Sequence, residues 1–244
     1  MLSSDQHSPR VHDLLLLRSG IVSSAGVPKP AWVTSSRAGN LWVVVRRDIA
    51  PDGLVAAGIR GIHRHQRWGG FADLADVKER LRPSHLFFRM ASRTRIGLPA
   101  LAALFWLEGQ LDRSELDWGP VGSVGFELAT GKQVVAPTSD LDLALFAPTR
   151  FTRSTARDLW RVMGTAPAKV DVRVETPYCG FSLEEYARER TERVLVRLPE
   201  SRQLAADPWR FLSSRIRNED WFALPRPGFA ATPNAPRPCR PPRN

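Results

Sequence analysis

Two segments in the second half of the chain alternate strictly between apolar and polar residues. In "SDLDLALF", Leu141, Leu143 and Leu145 alternate with acidic or small residues, and "KVDVRVET" repeats the pattern with valines. A period of two is typical of a β-strand, whose successive side chains face opposite sides of a sheet. The pattern therefore predicts two strands, and we interpret "SVGFELATG" and "RVLVRL" as two more.

Two helices are predicted between these strands. "RSTARDLWRVMG" is capped by Ser154 and ends at Gly164, and "SLEEYARER" begins at Ser182. Serine is favoured before a helix because its hydroxyl accepts a hydrogen bond from an amide of the first turn. Strands that alternate with helices indicate an α/β arrangement in this half of the chain.

The first half mixes strand and helix signals. "LWVVVRR" is rich in β-branched residues, and the turn "PDG" separates it from a second predicted strand, "GLVAAGIRG". Leu74, Val77 and Leu81 recur at helical spacing and predict a helix that stops before Pro83. "LPALAALFWLEGQLDR" predicts a second helix, opened by Pro99.

We place a domain boundary near residue 115 in a chain of the α+β class. The expected parts are a flexible start (1–10), a mixed α/β N-terminal lobe that binds substrate or partner (11–115), a catalytic lobe (116–210) and a C-terminal extension (211–244). The extension is rich in arginine and proline and has few apolar residues, so we expect it to be largely disordered.

The composition is that of a soluble globular protein, with 43% hydrophobic and 25% charged residues. The net charge of +10 favours an anionic partner, although Arg226, Arg237, Arg240 and Arg243 of the tail supply part of it. The N-terminal apolar run Leu14–Leu17 is too short for a membrane span or a signal peptide, so we expect a cytoplasmic protein that does not bind membranes.

Three aspartates are the candidate catalytic and metal-binding residues. Strand periodicity places Asp140 and Asp142 on one face, where their like charges repel each other. An exposed edge strand could tolerate this repulsion, and a bound cation would convert it into ligation. If the strand of "KVDVRVET" is a neighbour, Asp171 lies beside the pair. Three carboxylates on adjacent strands can hold two Mg²⁺ ions, or Mn²⁺ in their place, for an in-line displacement at phosphorus. Glu175 is an alternative ligand or a solvated charge at the strand end.

Glycines and arginines supply candidate phosphate-binding groups. Gly122 and Ser123 form a turn whose amides and hydroxyl can bind phosphate oxygens, and Arg173 is either a phosphate clamp or a partner that neutralises the acids. The N-terminal lobe adds residues suited to donor binding, with a tryptophan that can stack on adenine: Arg46, Arg47, Arg60, Arg64, Arg67 and Trp68. The alternative is a solvated basic loop.

A Gly-Ser turn, a D-x-D strand and a later strand with one aspartate resemble the polymerase-β-type nucleotidyltransferase superfamily. The segments "WGPVGSVGFELATG", "SDLDLALFAP" and "VDVRVETPYCGFSLEEYAR" are similar to those of malonate decarboxylase holo-acyl-carrier-protein synthases, the phosphoribosyl-dephospho-CoA transferases. "HDLLLL" and "GIRGIHRHQRWGG" extend the resemblance toward the N-terminus. The resemblance covers about His12 to Trp209 and implies a nucleotidyltransferase lobe with a mixed sheet and flanking helices.

The resemblance also implies a reaction. The phosphoribosyl-dephospho-CoA group of 2'-(5''-triphosphoribosyl)-3'-dephospho-CoA is expected to pass to a serine of the apo acyl carrier protein of malonate decarboxylase, with loss of pyrophosphate. Asp140 and Asp142 match the family's metal-binding aspartates, and Asp171 matches the third carboxylate as a ligand or a general base. The alternatives are a Mg²⁺-dependent nucleotidyltransferase that uses a nucleoside triphosphate, and a basic nucleic-acid-binding protein, for which the sequence has no known signature.

Overall fold

The computed structural model describes residues 9–20, 28–35, 41–61, 65–89, 95–111, 116–188 and 192–213. Its first half forms a five-stranded antiparallel sheet in the order β4-β3-β2-β1-β5. The strands are β1 (Leu14–Leu17), β2 (Leu41–Val45), β3 (Leu54–Arg60), β4 (Arg67–Asp73) and β5 (Val77–Leu81), with helix α1 (Ala31–Ser35) before β2. The predicted strands over "LWVVV" and "GLVAAGIR" are confirmed.

The second half forms a six-stranded mixed sheet in the order β11-β10-β9-β8-β7-β6. Its strands are β6 (Asp117–Pro120), β7 (Leu141–Phe146), β8 (Val170–Glu175), β9 (Gly180–Ser182), β10 (Val194–Arg197) and β11 (Arg202–Ala205). Among the described strands, β7 and β8 are the one parallel pair, and helix α4 (Arg153–Gly164) joins them. The remaining helices are α2 (Pro99–Gln110), α3 (Gly122–Thr130), α5 (Leu183–Ala187) and α6 (Arg210–Ser213). Two sheets with flanking helices confirm the α+β class.

Two sequence predictions of local structure are wrong. The helix expected over Leu74–Leu81 is a short 3₁₀ turn followed by strand β5, which pairs with β1. Val77 and Leu81 share a face at a spacing of four in either a helix or a strand, so the spacing could not decide between them. The strand expected in "SVGFELATG" is helix α3, whose Val124, Phe126 and Ala129 are all buried. Burial on several sides hides the helical period.

Helix ends follow the expected chemistry with one correction. Ser182 caps α5 as predicted, since its hydroxyl accepts from the Glu185 amide at 3.4 Å. The cap of α4 is Thr152, whose hydroxyl accepts from the Thr155 amide, whereas Ser154 lies inside the first turn. Strand β1 was not predicted: its four leucines are buried on both faces because β1 lies between β2 and β5.

The two sheets share an apolar contact and several ion pairs. Leu14 and Leu81 of the first sheet pack with Leu86, Phe126 and Ala129. The main core lies under the second sheet and includes Leu101, Leu104 and Leu107 of α2, a helix that the sequence analysis placed in the N-terminal lobe. None of the helices in the described ranges has the length and apolar character needed to cross a membrane. The predicted flexible start and C-terminal tail lie largely outside the described residues.

Candidate active site

A cleft of about 1100 Å³ lies between the two sheets. One wall comes from β2, β3 and β4 of the first sheet, and the other from β7, β8, β10 and the start of α3. Most of the predicted site residues line this single cleft: Arg46, Arg47, Arg60, Arg67, Trp68, Gly122, Asp142, Asp171 and Arg173. The fold thus brings together residues that are more than one hundred positions apart in the chain.

The carboxylates meet where β7 and β8 run side by side. Asp142 and Asp171 are register partners in the parallel ladder, so their side chains leave the sheet on the same face. Asp140 directly precedes β7, is exposed, and lies 3.6 Å from the Lys169 ammonium. It adjoins the residues that line the cleft but is not one of them. The adjacency of the two strands, which the sequence left open, is therefore established.

Asp142 lies in an unfavourable environment for a charged carboxylate. Burial raises its pKa above the ordinary value, and the nearby Asp171 and Asp140 raise it further, while Arg67 and Arg173 act in the opposite direction. Within the described part of the chain, no set of three His, Cys, Asp or Glu side chains is grouped so as to hold a metal ion. The two adjacent carboxylates are thus a repelling pair that the surrounding arginines only partly offset.

Gly122 allows the Asp142 carboxylate to lie against the start of α3. Its φ of +59° is in the left-handed region, and an added Cβ would be 2.1 Å from Oδ2 of Asp142. The Val121 amide also donates to the Asp142 carbonyl at 2.9 Å. Val121 makes no side-chain cap, and both Val121 and Gly122 at the start of α3 line the cleft. Ser123 lies in this first turn, beside the cleft lining.

Arg46 lies flat across the first sheet because two glycines make room for it. Gly58 and Gly69 are register partners on β3 and β4. A Cβ on Gly69 would be 2.0 Å from a guanidinium nitrogen of Arg46, and one on Gly58 would be 3.2 Å from its Cδ. These glycines thus allow an arginine side chain to approach the backbone of the sheet closely. Arg64 lies outside the described residues.

Arg47 and Glu175 join the two lobes instead of facing open solvent. Glu175 is buried, accepts a hydrogen bond from Arg47, and lies 2.9 Å from the Nε2 atom of His12. These partners lower the pKa of Glu175 despite its burial. The interpretation of Glu175 as a solvated strand-end charge is wrong, because the first sheet covers this end of β8. His12 has a positive φ of 74°.

Trp68 differs from the picture of an exposed stacking platform. Its side chain is 7% exposed and belongs to the core of the first sheet, although it also lines the cleft. Its stacking on adenine stays a prediction. No sequence pattern assigned His12, Arg197 or Arg202 to the cleft, which all three line. Period-two alternation in "RVLVRL" is the signal that could have assigned Arg197 to the polar face of its strand.

Comparison with known proteins supports one family over both lobes. Residues 10–83 match the model for the N-terminal domain of the phosphoribosyl-dephospho-CoA transferase MdcG, and residues 88–208 match the model for its C-terminal domain. Curated relatives named phosphoribosyl-dephospho-CoA transferase include one from Pseudomonas aeruginosa, 42% identical over 83% of this chain and 94% of the relative.

Other relatives of the same name show similar coverage. A Pseudomonas putida protein is 39% identical over 83% of this chain and 96% of its own length, and one from Azotobacter vinelandii is 36% identical over 83% and 95%. No solved structure matches the chain significantly. The resemblance drawn from the sequence motifs is confirmed, and the chain belongs to the phosphoribosyl-dephospho-CoA transferase family.

Proposed function

We propose that this protein transfers the phosphoribosyl-dephospho-CoA group from 2'-(5''-triphosphoribosyl)-3'-dephospho-CoA to a serine of the apo acyl carrier protein of malonate decarboxylase. The relatives' shared name supports the transferred group. The observation that carries the site assignment is the register pairing of Asp142 with Asp171 in the interlobe cleft. In the proposed step the serine oxygen bonds to the phosphorus next to the ribose, and the bond from that phosphorus to the leaving pyrophosphate breaks.

The carboxylates fit a divalent cation. Asp142 and Asp171 repel each other, and the first of them is disfavoured in its charged form by burial. Mg²⁺ usually takes one or two protein carboxylates and completes its shell with phosphate oxygens and water. We propose that Asp142 and Asp171 hold Mg²⁺, or Mn²⁺, with Asp140 at the edge of the site and the number of ions set by the bound triphosphate. The ion supplies charge neutralisation on the reacting phosphate.

Other groups of the protein are placed to orient the donor phosphates and the attacking serine. The uncapped first turn of α3 at Gly122 and Ser123 offers amides to phosphate oxygens, and Arg173 and Arg67 flank the same carboxylates. Asp171, the more exposed of the pair, is placed either to bind a metal ion or to accept the proton that leaves the serine hydroxyl. A polymerase-β-type arrangement of this lobe is part of the proposal.

The charge of the cleft suits the two substrates. Arg46 and Arg60 of the first sheet line the same cleft as the carboxylates and are suited to the anionic donor. An acyl carrier protein is usually acidic, so the basic rim of the cleft also favours its docking.

A transfer assay tests the proposal. The protein is mixed with Mg²⁺, the triphosphoribosyl donor and apo carrier protein, and the carrier is weighed by intact mass spectrometry. We expect a gain equal to the phosphoribosyl-dephospho-CoA group that disappears with EDTA. If the carrier gains no mass, while a known synthase loads the same sample, the assigned donor or acceptor is wrong. Pyrophosphate release from ATP or another nucleoside triphosphate would then favour the alternative nucleotidyltransferase.

A further inference from the structure

Three arginines line the cleft from β8 outward, on the strands that continue the sheet away from β7. Arg173 lies on β8, Arg197 on β10 and Arg202 on β11, and all three line the cleft. Arg197 and Arg202 are register partners, so their side chains leave the sheet on the same face. Within the described residues, none of the three guanidinium groups has a hydrogen bond or ion pair with an acid, although Glu200 lies in the turn between β10 and β11.

The arrangement is unfavourable for the protein alone. Arg197 is half-buried, and its Nε atom is buried without a hydrogen-bond partner. Burial and the charges of Arg173 and Arg202 lower its pKa, an effect that Glu175 and Asp171 only partly oppose. The Glu175 carboxylate leans over Gly180, where a Cβ would be 2.7 Å from its Oε2, but this carboxylate is bound by His12 and Arg47. Like charges held together without an ion-pair partner indicate a site for an anion.

We propose that Arg197 and Arg202, next to Arg173, form a second anion-binding subsite, which receives a phosphate or diphosphate group of the ligand away from the phosphorus under attack. The inference rests on the proposed function, because it assumes that the cleft holds a donor with separate phosphate groups. On one strand, Arg173 is two residues from Asp171, about 7 Å along the sheet. Strand β10 is two strands away from β8, about 10 Å across it. Because Asp142 lies one strand further, on β7, a ligand with one phosphate group at Asp142 and another at Arg197 bridges three strand spacings, about 14 Å across the sheet, in addition to the offset along the strands.

The donor contains two groups with this chemistry. One is the pyrophosphate that leaves from the triphosphate, and the other is the diphosphate that joins adenosine to pantetheine in dephospho-CoA. Isothermal titration calorimetry in EDTA with inorganic pyrophosphate and, separately, with dephospho-CoA distinguishes them. The variants are Arg197→Gln and Arg202→Gln, and the control is Arg161→Gln, whose exposed guanidinium pairs with Asp158 on α4.

We expect Arg197→Gln to weaken one of the two ligands about tenfold, the effect of one lost charge-assisted hydrogen bond to phosphate, and Arg202→Gln to weaken the same ligand less. The Tm of Arg197→Gln should be unchanged or higher, because the substitution removes a crowded charge, whereas a structural arginine would lower it. Weaker dephospho-CoA binding assigns the subsite to the adenosine diphosphate group, and weaker pyrophosphate binding assigns it to the leaving group.

Two results overturn the subsite. One is unchanged affinity of both arginine variants for both ligands, and the other is a wild-type protein that binds neither ligand. A wild-type protein that binds pyrophosphate through Arg197 but not dephospho-CoA keeps the subsite and contradicts the proposed donor instead. The two proposals can therefore fail separately.

Discussion

Strand β8 carries two acidic residues on its cleft face, Asp171 and Glu175, and their surroundings differ in charge. Glu175 is covered by the first sheet and bound by His12 and Arg47, which lower its pKa. Asp171 lies beside Asp142, whose pKa is raised by burial and by its acidic neighbours. Glu175, which has cationic partners, joins the lobes, while the repelling pair Asp142 and Asp171 has the properties of a ligand site. The direction of the pKa shift and its cause therefore distinguish a carboxylate that joins the lobes from a candidate ligand.

Among residues that have no reactive side chain, we expect the largest effect of a substitution at Gly122. In Gly122→Ala the added Cβ meets the Asp142 carboxylate at 2.1 Å, so the carboxylate must move. We expect the transfer rate to fall by about a hundredfold, the cost of a misplacement of about 1 Å in a reacting group. Gly131→Ala is the matched control, because Gly131 also has a positive φ of 71° but nothing within 4 Å of its Cβ position. It should lose some stability and keep its rate; equal losses in both variants would contradict the role of Gly122.

A substitution of Glu175, at the end of β8, should lower the stability of the protein. Glu175→Gln removes one partner of a buried charge cluster, and we expect unfolding by urea to show a loss of about 3 kcal/mol at neutral pH. The pKa of Glu175 is lowered by folding, so its contribution is complete above the unfolded value and is lost as the pH falls below it. The difference between wild type and variant should therefore shrink as the pH falls below 4.5, the ordinary value for glutamate. A difference that grows on acidification would reverse the assignment.

A smaller change in activity is expected from a substitution on the first sheet, which forms the opposite wall of the cleft. In Gly69→Ala the new Cβ occupies the place of the Arg46 guanidinium, which must turn away. We expect the KM for the donor to rise about threefold to tenfold, similar to the rise in Arg46→Gln, because both variants lose the same phosphate contact. The double variant should be no worse than the worse single variant. Additive losses would show that Gly69 and Arg46 act independently.

The smallest effect is predicted for Lys169. Its ammonium is exposed and lies 3.6 Å from Asp140. Lys169→Gln should change the free energy of unfolding by less than about 0.5 kcal/mol, since exposed ion pairs contribute little. A loss above 2 kcal/mol in a urea titration would mean that the pair is a structural link comparable to Glu175.

The sequence predicted the placement of the cleft carboxylates better than the local structure around them. The alternation in "SDLDLALF" and "KVDVRVET" was sufficient to place Asp142 and Asp171 on equivalent faces, because a period of two is set by strand geometry. The same reasoning failed at α3 and β5. There, tertiary burial and pairing with β1 decided the local structure, and residue spacing alone fits more than one element.

Contacts between distant residues explain what the sequence could not supply. The pairing of His12 with Glu175 joins positions 163 residues apart, and no local pattern encodes it. The packing of Arg46 against Gly58 and Gly69 likewise depends on the register of three strands. Arg197 and Arg202 carried no motif, and only the sheet order places them beside Arg173.

The central claim is that the Asp142–Asp171 pair is the reaction centre. The most direct measurement is the single-turnover rate of carrier loading by Asp142→Asn, together with its Tm. Asp158→Asn, an exposed aspartate on α4, serves as the control. We predict that Asp142→Asn loses at least about a thousandfold in rate with an unchanged or higher Tm, and that Asp158→Asn keeps the wild-type rate. A well-folded Asp142→Asn protein that loads the carrier within tenfold of the wild-type rate would contradict the account.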